Sequence, residues 1–286
     1  MKSFISQTMG GRKMLSTKSI KVVTADCAKL GNSLSVKELR MTFGDGAKAI
    51  TPFKDVSFTV NPGEFICIIG PSGAGKSTLL FCLSGLNRPS SGEIKVGDRL
   101  VTGPGVDRAV VFQDDAVFPW YTVEKNVEYG PRVNNWKKAE REKAVDDALN
   151  MVGLSDYRKF LPHQLSGGMR KRVDVARAFA GNPDSILMDE PFGGLDTMTK
   201  ESLQEAILSI WKSTGKTIIF VTHDLEEAVF LADRVFVLQK GGGLKVVKID
   251  LPRPRTHNMR TEPTLQNYRR MLGDMIRSQQ GGNSGN

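Results

Sequence analysis

The chain has 286 residues, 40% hydrophobic and 25% charged, enough for one large domain or two small ones around a full core. No apolar run approaches the roughly 18–20 residues needed to cross a bilayer, and the first thirty residues lack the apolar stretch of a secretory signal. Cys27, Cys67 and Cys82 show no metal or disulfide spacing, so a soluble chain in a reducing cytoplasm is expected.

The net charge of +9 raises the question of a nucleic-acid or membrane-surface partner. Its distribution argues against nucleic acid. Residues 1–33 hold six basic and one acidic residue, and residues 240–286 hold nine and three. The body between them has 25 basic and 27 acidic residues, whereas a nucleic-acid reader concentrates positive charge on its folded body. Solvated basic tails, near anionic headgroups at most, are the expectation.

Taken in chain order, the start to about Leu34 has no periodicity and reads as a loose extension. From Ser35 to about Leu238 short β-rich runs alternate with helical patterns, which predicts an α/β fold. Strands are predicted at Asp55–Val60, Glu64–Ile69, Ala109–Gln113, Ser185–Met188, Thr217–Val221 and Arg234–Leu238. Several are continuous apolar runs, as in a sheet covered on both faces. Helices are predicted at Lys76–Leu86, Trp136–Val152 with Gly153 as its stop, Gly167–Ala180, Thr197–Lys212 and Leu225–Ala232. The polar end, Gln279 to Asn286, is expected to be disordered.

Between a predicted strand and helix lies Gly70-Pro71-Ser72-Gly73-Ala74-Gly75-Lys76-Ser77-Thr78, a match to G-x-x-x-x-G-K-[ST]. Glycines let backbone N–H groups turn toward phosphate oxygens, and the helix start adds its unpaired amides and positive dipole end. Lys76 would reach the β- and γ-phosphates of ATP, and the Ser77 hydroxyl would ligate Mg²⁺. The pattern arises by chance in roughly one chain in a hundred of this length, given average residue frequencies. A nucleotide site is predicted.

A second such helix start follows. Leu165-Ser166-Gly167-Gly168-Met169 begins with a good N-cap and two glycines that leave helix-terminal amides uncovered. With Arg170-Lys171-Arg172-Val173 it resembles the signature sequence of ATP-binding-cassette (ABC) proteins. The resemblance runs from about Leu34 to Arg255 and implies a P-loop ATPase: a mostly parallel core sheet, a β-rich subdomain and a helical signature subdomain. It also implies a homodimer in which Ser166, Gly167 and Gly168 close over the partner's ATP. Further matches follow in family order. Asp189 ends a Walker B strand and is expected to hold Mg²⁺, with Glu190 as general base. Asp196 lies in the D-loop, His223 is the switch histidine, Gln113 senses Mg²⁺ and the γ-phosphate, and Phe43 stacks on adenine. From the residues alone Phe43 could instead be core, a lone Gln113 or His223 at a strand end is more often a satisfied polar cap, and Asp189-Glu190 could be a strand-terminal turn. Asp174 departs from the family pattern; a solvated helix face, paired with Arg170 or Arg177, is the expectation.

Phe118-Pro119-Trp120, followed by Thr122-Val123 and Asn126-Val127, resembles the ATPases of nitrate, taurine, alkanesulfonate and bicarbonate importers. That resemblance implies a transmembrane permease docking here, a solute-binding protein outside the cell, and a peripheral position on the cytoplasmic face of the membrane. Phe118 and Trp120 read either as a docking surface or as buried loop anchors. The expected organisation is a basic extension over 1–33, the ATPase domain over 34–255, and a helical or disordered tail over 256–286. Two other classes lack support: cassette ATPases acting on nucleic acid, because no coiled coil, zinc insertion or tandem cassette is present, and small-molecule kinases, which have no use for a signature sequence.

Overall fold

The computed structural model describes residues 31–280. Cys27, most of the basic extension and residues 281–286 lie outside the described residues. Two sheets organise the chain. A four-stranded antiparallel sheet has the order β2-β1-β4-β5, with β1 at Leu34–Phe43, β2 at Ile50–Val60, β4 at Ser91–Val96 and β5 at Arg99–Leu100. A six-stranded sheet has the order β10-β9-β3-β8-β7-β6, with β3 at Phe65–Ile69, β6 at Arg108–Val111, β7 at Ser185–Asp189, β8 at Thr217–Val221, β9 at Arg234–Leu238 and β10 at Leu244–Lys248. All its pairings are parallel except that of β10, which closes the edge by a hairpin from β9.

Every residue of β3, β7 and β8 is buried, because both faces of this sheet are covered. Side chains alternate faces along a strand, and the alternation divides the molecule's interior. Phe65, Cys67 and Ile69 enter one core, with Met188, Phe220 and Val237. Ile66 and Ile68 enter the other, with Leu187, Ile219 and Phe236, facing helix α1 (Lys76–Ser84) and the antiparallel sheet. The first core is roofed by α4 (Gly167–Ala180), α5 (Thr197–Thr214) and α6 (Leu225–Leu231). Beside α4 stand α2 (Val123–Val133) and α3 (Lys138–Val152), the helical layer.

Several boundaries differ from the sequence reading. The strand expected to reach Gln113 ends at Val111, so Gln113 stands on a loop. Helix α1 stops at Ser84 because Gly85 turns left-handed at φ 82°. Helix α3 begins at Lys138, where the Glu140 carboxylate reaches back to the Lys137 amide at 2.9 Å. Helix α2 was missed because Pro131 interrupts its pattern. Helix α7 (Pro263–Gln280) corrects the reading of Gln279 as the start of a disordered end. Its Leu265 and Leu272 are fully buried in the first core, so packing continues past Arg255.

Asp174 also corrects the sequence reading. It does not lie on a solvated face: it is 1% exposed, and its carboxylate accepts from Arg177 at 2.5 Å.

Candidate active site

The loop from Gly70 to Thr78 joins the end of β3 to α1, where parallel strands deliver their C-terminal ends. Pro71 and Ala74 are buried and anchor it, while Ser72 and Gly73 are exposed. Gly75 is the N-cap of α1 at φ 88°, and a Cβ there would stand 2.6 Å from Pro52 Cβ on β2. Only glycine satisfies both conditions. Among the described residues the amides of Lys76, Ser77 and Thr78 find no backbone acceptor, as expected of a first helical turn. The result is a cradle of free donors that suits phosphate oxygens.

Lys76 folds back over this cradle. Its Nζ donates to Gly70 O at 3.1 Å and Pro71 O at 3.2 Å. Burial holds its pKa below the ordinary lysine value, against the opposing pull of Glu190 and Asp189. Ser77 Oγ donates to Asp189 Oδ1 at 2.9 Å, joining the loop to the end of β7. Burial raises the Asp189 pKa; the Ser77 hydrogen bond opposes this and the neighbouring Glu190 adds to it. One hydroxyl and one carboxylate are hard oxygen donors of the kind Mg²⁺ takes. No cluster of three or more His, Cys, Asp or Glu suits a metal among the described residues. The donor set therefore fits an ion that completes its shell with phosphate and water, not one held in a protein cage.

Glu190 follows Asp189 with φ +43°, a left-handed conformation that a non-glycine residue rarely adopts. Its amide donates to Val221 O at the end of β8, and its Oε2 lies 3.0 Å from His223 Nδ1. The His223 ring is 71% exposed at the rim. Sequence reading missed what holds this rim. Lys200 Nζ contacts Asp224 Oδ2 at 2.7 Å and Glu227 Oε1 at 2.5 Å, tying α5 to the turn that carries His223. These residues come from separate elements, and no local pattern pairs them.

Gln113 is exposed, beside Gly193, where a Cβ would stand 3.9 Å from its Nε2. The Ser77–Asp189 hydrogen bond is made without the Gln113 side chain. Phe43 is not core: it is 44% exposed at the end of β1, opposite Ile50, on the hairpin whose Pro52 abuts Gly75.

Ser166, Gly167 and Gly168 form a separate place. Ser166 caps α4 by accepting from the Met169 amide at 3.3 Å. Asp196 caps α5 by accepting from the Thr199 amide at 3.0 Å, and hydrogen bonding from the Thr199 side chain, with that amide, holds its carboxyl below the usual range. The two helix starts meet: a Cβ on Gly168 would stand 2.3 Å from Thr199 Cγ2. Helix α4 packs on α2, α3, α5 and β6, whereas α1 packs on β6, β7 and β8. One chain thus presents two anion-ready helix starts on different elements, and Lys76, Asp189 and Glu190 attend only the first.

A parallel sheet with a phosphate loop after its central strand, joined to a helical layer with its own exposed helix start, defines a P-loop ATPase cassette. Residues 53–193 match the family described as ABC transporter. The chain is 40% identical over 255 residues to the nitrate import ATP-binding protein NrtD of Synechocystis, covering 86% of this chain and 96% of that protein. It is 44% identical over 209 residues to the taurine import ATP-binding protein TauB of Roseobacter denitrificans, covering 72% and 77%. Among solved structures, a dimeric, post-hydrolysis ATP-binding cassette, MJ0796 bound to ADP and Pi, superposes with a TM-score of 0.68 at 32% identity, over 77% of this chain and all of that one. The chain belongs to the ABC transporter family and is an ABC-type ATPase. No helix among the described residues is long and apolar enough to cross a membrane.

Proposed function

We propose that this chain hydrolyses MgATP as a head-to-tail homodimer to energise a separate membrane permease that imports a small anionic or polar solute. The observation that carries this reading is the division of labour between the two helix starts. The first has lysine, Mg²⁺ donors and a carboxylate base; the second has only donors, so it is useful only over another molecule's phosphates. In this reading the Gly70–Thr78 amides and Lys76 hold the β- and γ-phosphates, and Ser77 and Asp189 hold Mg²⁺ with Gln113 approaching from its loop. Glu190 takes the proton of the attacking water, positioned by His223. Phe43 lies under the adenine. Ser166, Gly167, Gly168 and Asp196 meet the partner subunit's nucleotide. Mg²⁺ supplies charge neutralisation at the transferring phosphoryl group.

The likeness to nitrate and taurine import proteins supports cargo of the same chemical kind, delivered by a solute-binding protein outside the cell, with the chain on the cytoplasmic face of the membrane. The ATPase domain is taken as residues 34–255, with a basic extension before it and a helical tail after it. The permease would dock on the aromatic surface between β6 and α2. Trp120 is 69% exposed there, and its ring lies 5.7 Å from that of the half-buried Phe118. Exposed apolar surface of this kind suits a helix from a partner. The test is reconstitution with the permease encoded beside the gene. ATP hydrolysis should rise when solute and its binding protein are added, and transport without this chain would refute the reading.

A further inference from the structure

The segment Phe112–Phe118 leaves the sheet at the end of β6 and carries Gln113 at one end and Phe118 at the other. Past Val111 its carbonyls have no ladder partner. Three of them are taken instead by two side chains from one face of α4. Lys171 Nζ donates to Phe112 O and Gln113 O, each at 3.0 Å. Arg177 Nη1 donates to Ala116 O at 2.6 Å, and its guanidinium lies 5.3 Å from the Phe118 ring centroid.

These cations are withdrawn from water: Lys171 is 2% exposed and the Arg177 side chain 16%. A buried charge without a counter-charge is costly. Asp174 stands between them, three residues from each on the same helix face. Its Oδ1 accepts from Arg177 at 2.5 Å, its Oδ2 lies 3.9 Å from Lys171 Nζ, and its side chain is fully buried. Oδ2 has no hydrogen-bond partner among the described residues. At the outer edge Asp115 meets Arg170 at 2.8 Å and Lys171 at 3.7 Å. Burial pushes the Asp174 pKa up, and Arg177 and Lys171 oppose that shift.

We propose that Lys171, Asp174 and Arg177 form a buried positioning device that fixes the Gln113-to-Phe118 segment to the signature helix, so that Gln113, the aromatic surface and Ser166–Gly168 move as one body. Asp174 is a positioning residue: it lets two cations sit dry against backbone carbonyls. A displacement of the aromatic surface then reaches the start of α4 directly, through side chains of that helix. The consequence for hydrolysis rests on the reading that Gln113 serves the nucleotide site.

The test uses the full chain with MgATP. Asp174→Asn keeps the shape and removes the charge. A paired variant, Asp174→Leu with Arg177→Met, removes the closest ion pair, leaves Lys171 its contact with Asp115 at 3.7 Å, and restores an apolar contact. Amide exchange across residues 113–118 and across β8, melting temperature, kcat and KM are measured for each. Asp174→Asn should speed exchange in 113–118 about tenfold while β8 is unchanged, and lower kcat by about tenfold with KM shifted far less, within the range of coupling residues. The paired variant should recover the melting temperature but keep the fast exchange and the low kcat. Unchanged exchange in Asp174→Asn overturns the proposal, as does recovery of kcat together with stability in the paired variant. If Asp174→Asn fails to fold, the paired variant decides alone. Gln113→Ala run in parallel separates the two readings: normal kcat there removes Gln113 from the site, while the exchange data still judge the device.

Discussion

Glu190 Oε2 lies 3.0 Å from His223 Nδ1, at the mouth of a site whose floor is the Ser77–Asp189 hydrogen bond. The pair joins the ends of two neighbouring parallel strands, and the positive φ of Glu190 turns its carboxylate toward the imidazole. Such strained residues persist where the surrounding structure over-determines them.

Glu190→Gln keeps this geometry and removes the base. Nucleotide binding should remain, hydrolysis should fall by at least about a hundredfold, the low end for losing a general base, and an ATP-bound dimer should accumulate. Single-turnover hydrolysis and size-exclusion chromatography with MgATP report both effects. Turnover within a few-fold of wild type would remove Glu190 from this role.

Lys76→Ala should abolish tight nucleotide binding, because Lys76 is the one cation on the Gly70–Thr78 loop. Ser166→Arg should spare binding and block closure. In mixtures of the two variants, the heterodimer should retain at most one working site, since each site draws on both subunits. ATPase titrated against mixing ratio reads this out, and strictly independent effects would rule out the head-to-tail dimer.

The structure separates the two aromatics that sequence left equivalent. Trp120 is exposed, so Trp120→Ala should leave the melting temperature and basal ATPase near wild type. It should weaken co-purification with the permease more than tenfold, as burying one large aromatic contributes about 2 kcal/mol or more. Phe118 is half-buried, with its ring 4.7 Å from that of Tyr129 and its amide donating to Asn126 at 2.7 Å. Phe118→Ala should cost about 1–3 kcal/mol in denaturant unfolding. Equal stability of the two variants would contradict this division.

Glu124 offers a pH test away from the site. Burial raises its pKa, but hydrogen bonds from Lys159 at 2.6 Å and Arg158 at 3.1 Å outweigh burial and hold it below the ordinary glutamate value. A carboxyl depressed on folding contributes stability above its unfolded pKa and loses it as pH falls through the lower, folded value. Glu124→Gln should therefore cost about 1 kcal/mol at pH 7. The difference from wild type should close as pH falls through the lowered, folded pKa. A gap that persists once the carboxyl is protonated would mean that packing, not charge, is lost.

The sequence by itself determined whatever depends on consecutive residues. A glycine-rich loop before Lys76, an acidic pair after three apolar residues at Ile186–Met188, and Ser166 before two glycines each carry their chemistry within one turn or strand end. Helix α4 matches its expected span, and β8 and β9 match theirs, because caps and apolar runs are local signals. Tertiary structure alone decided which distant groups meet. Gly168 lies against Thr199, Lys200 reaches Glu227, and α7 covers the first core although its sequence is mostly polar. Asp174 is the clearest case. On a helix surface its neighbours Arg170 and Arg177 predict a solvated pair, but the Gln113 segment folds over that face and takes Lys171 and Arg177 for its carbonyls. Burial is a property of what arrives from elsewhere in the chain, and a single helix's sequence does not contain it.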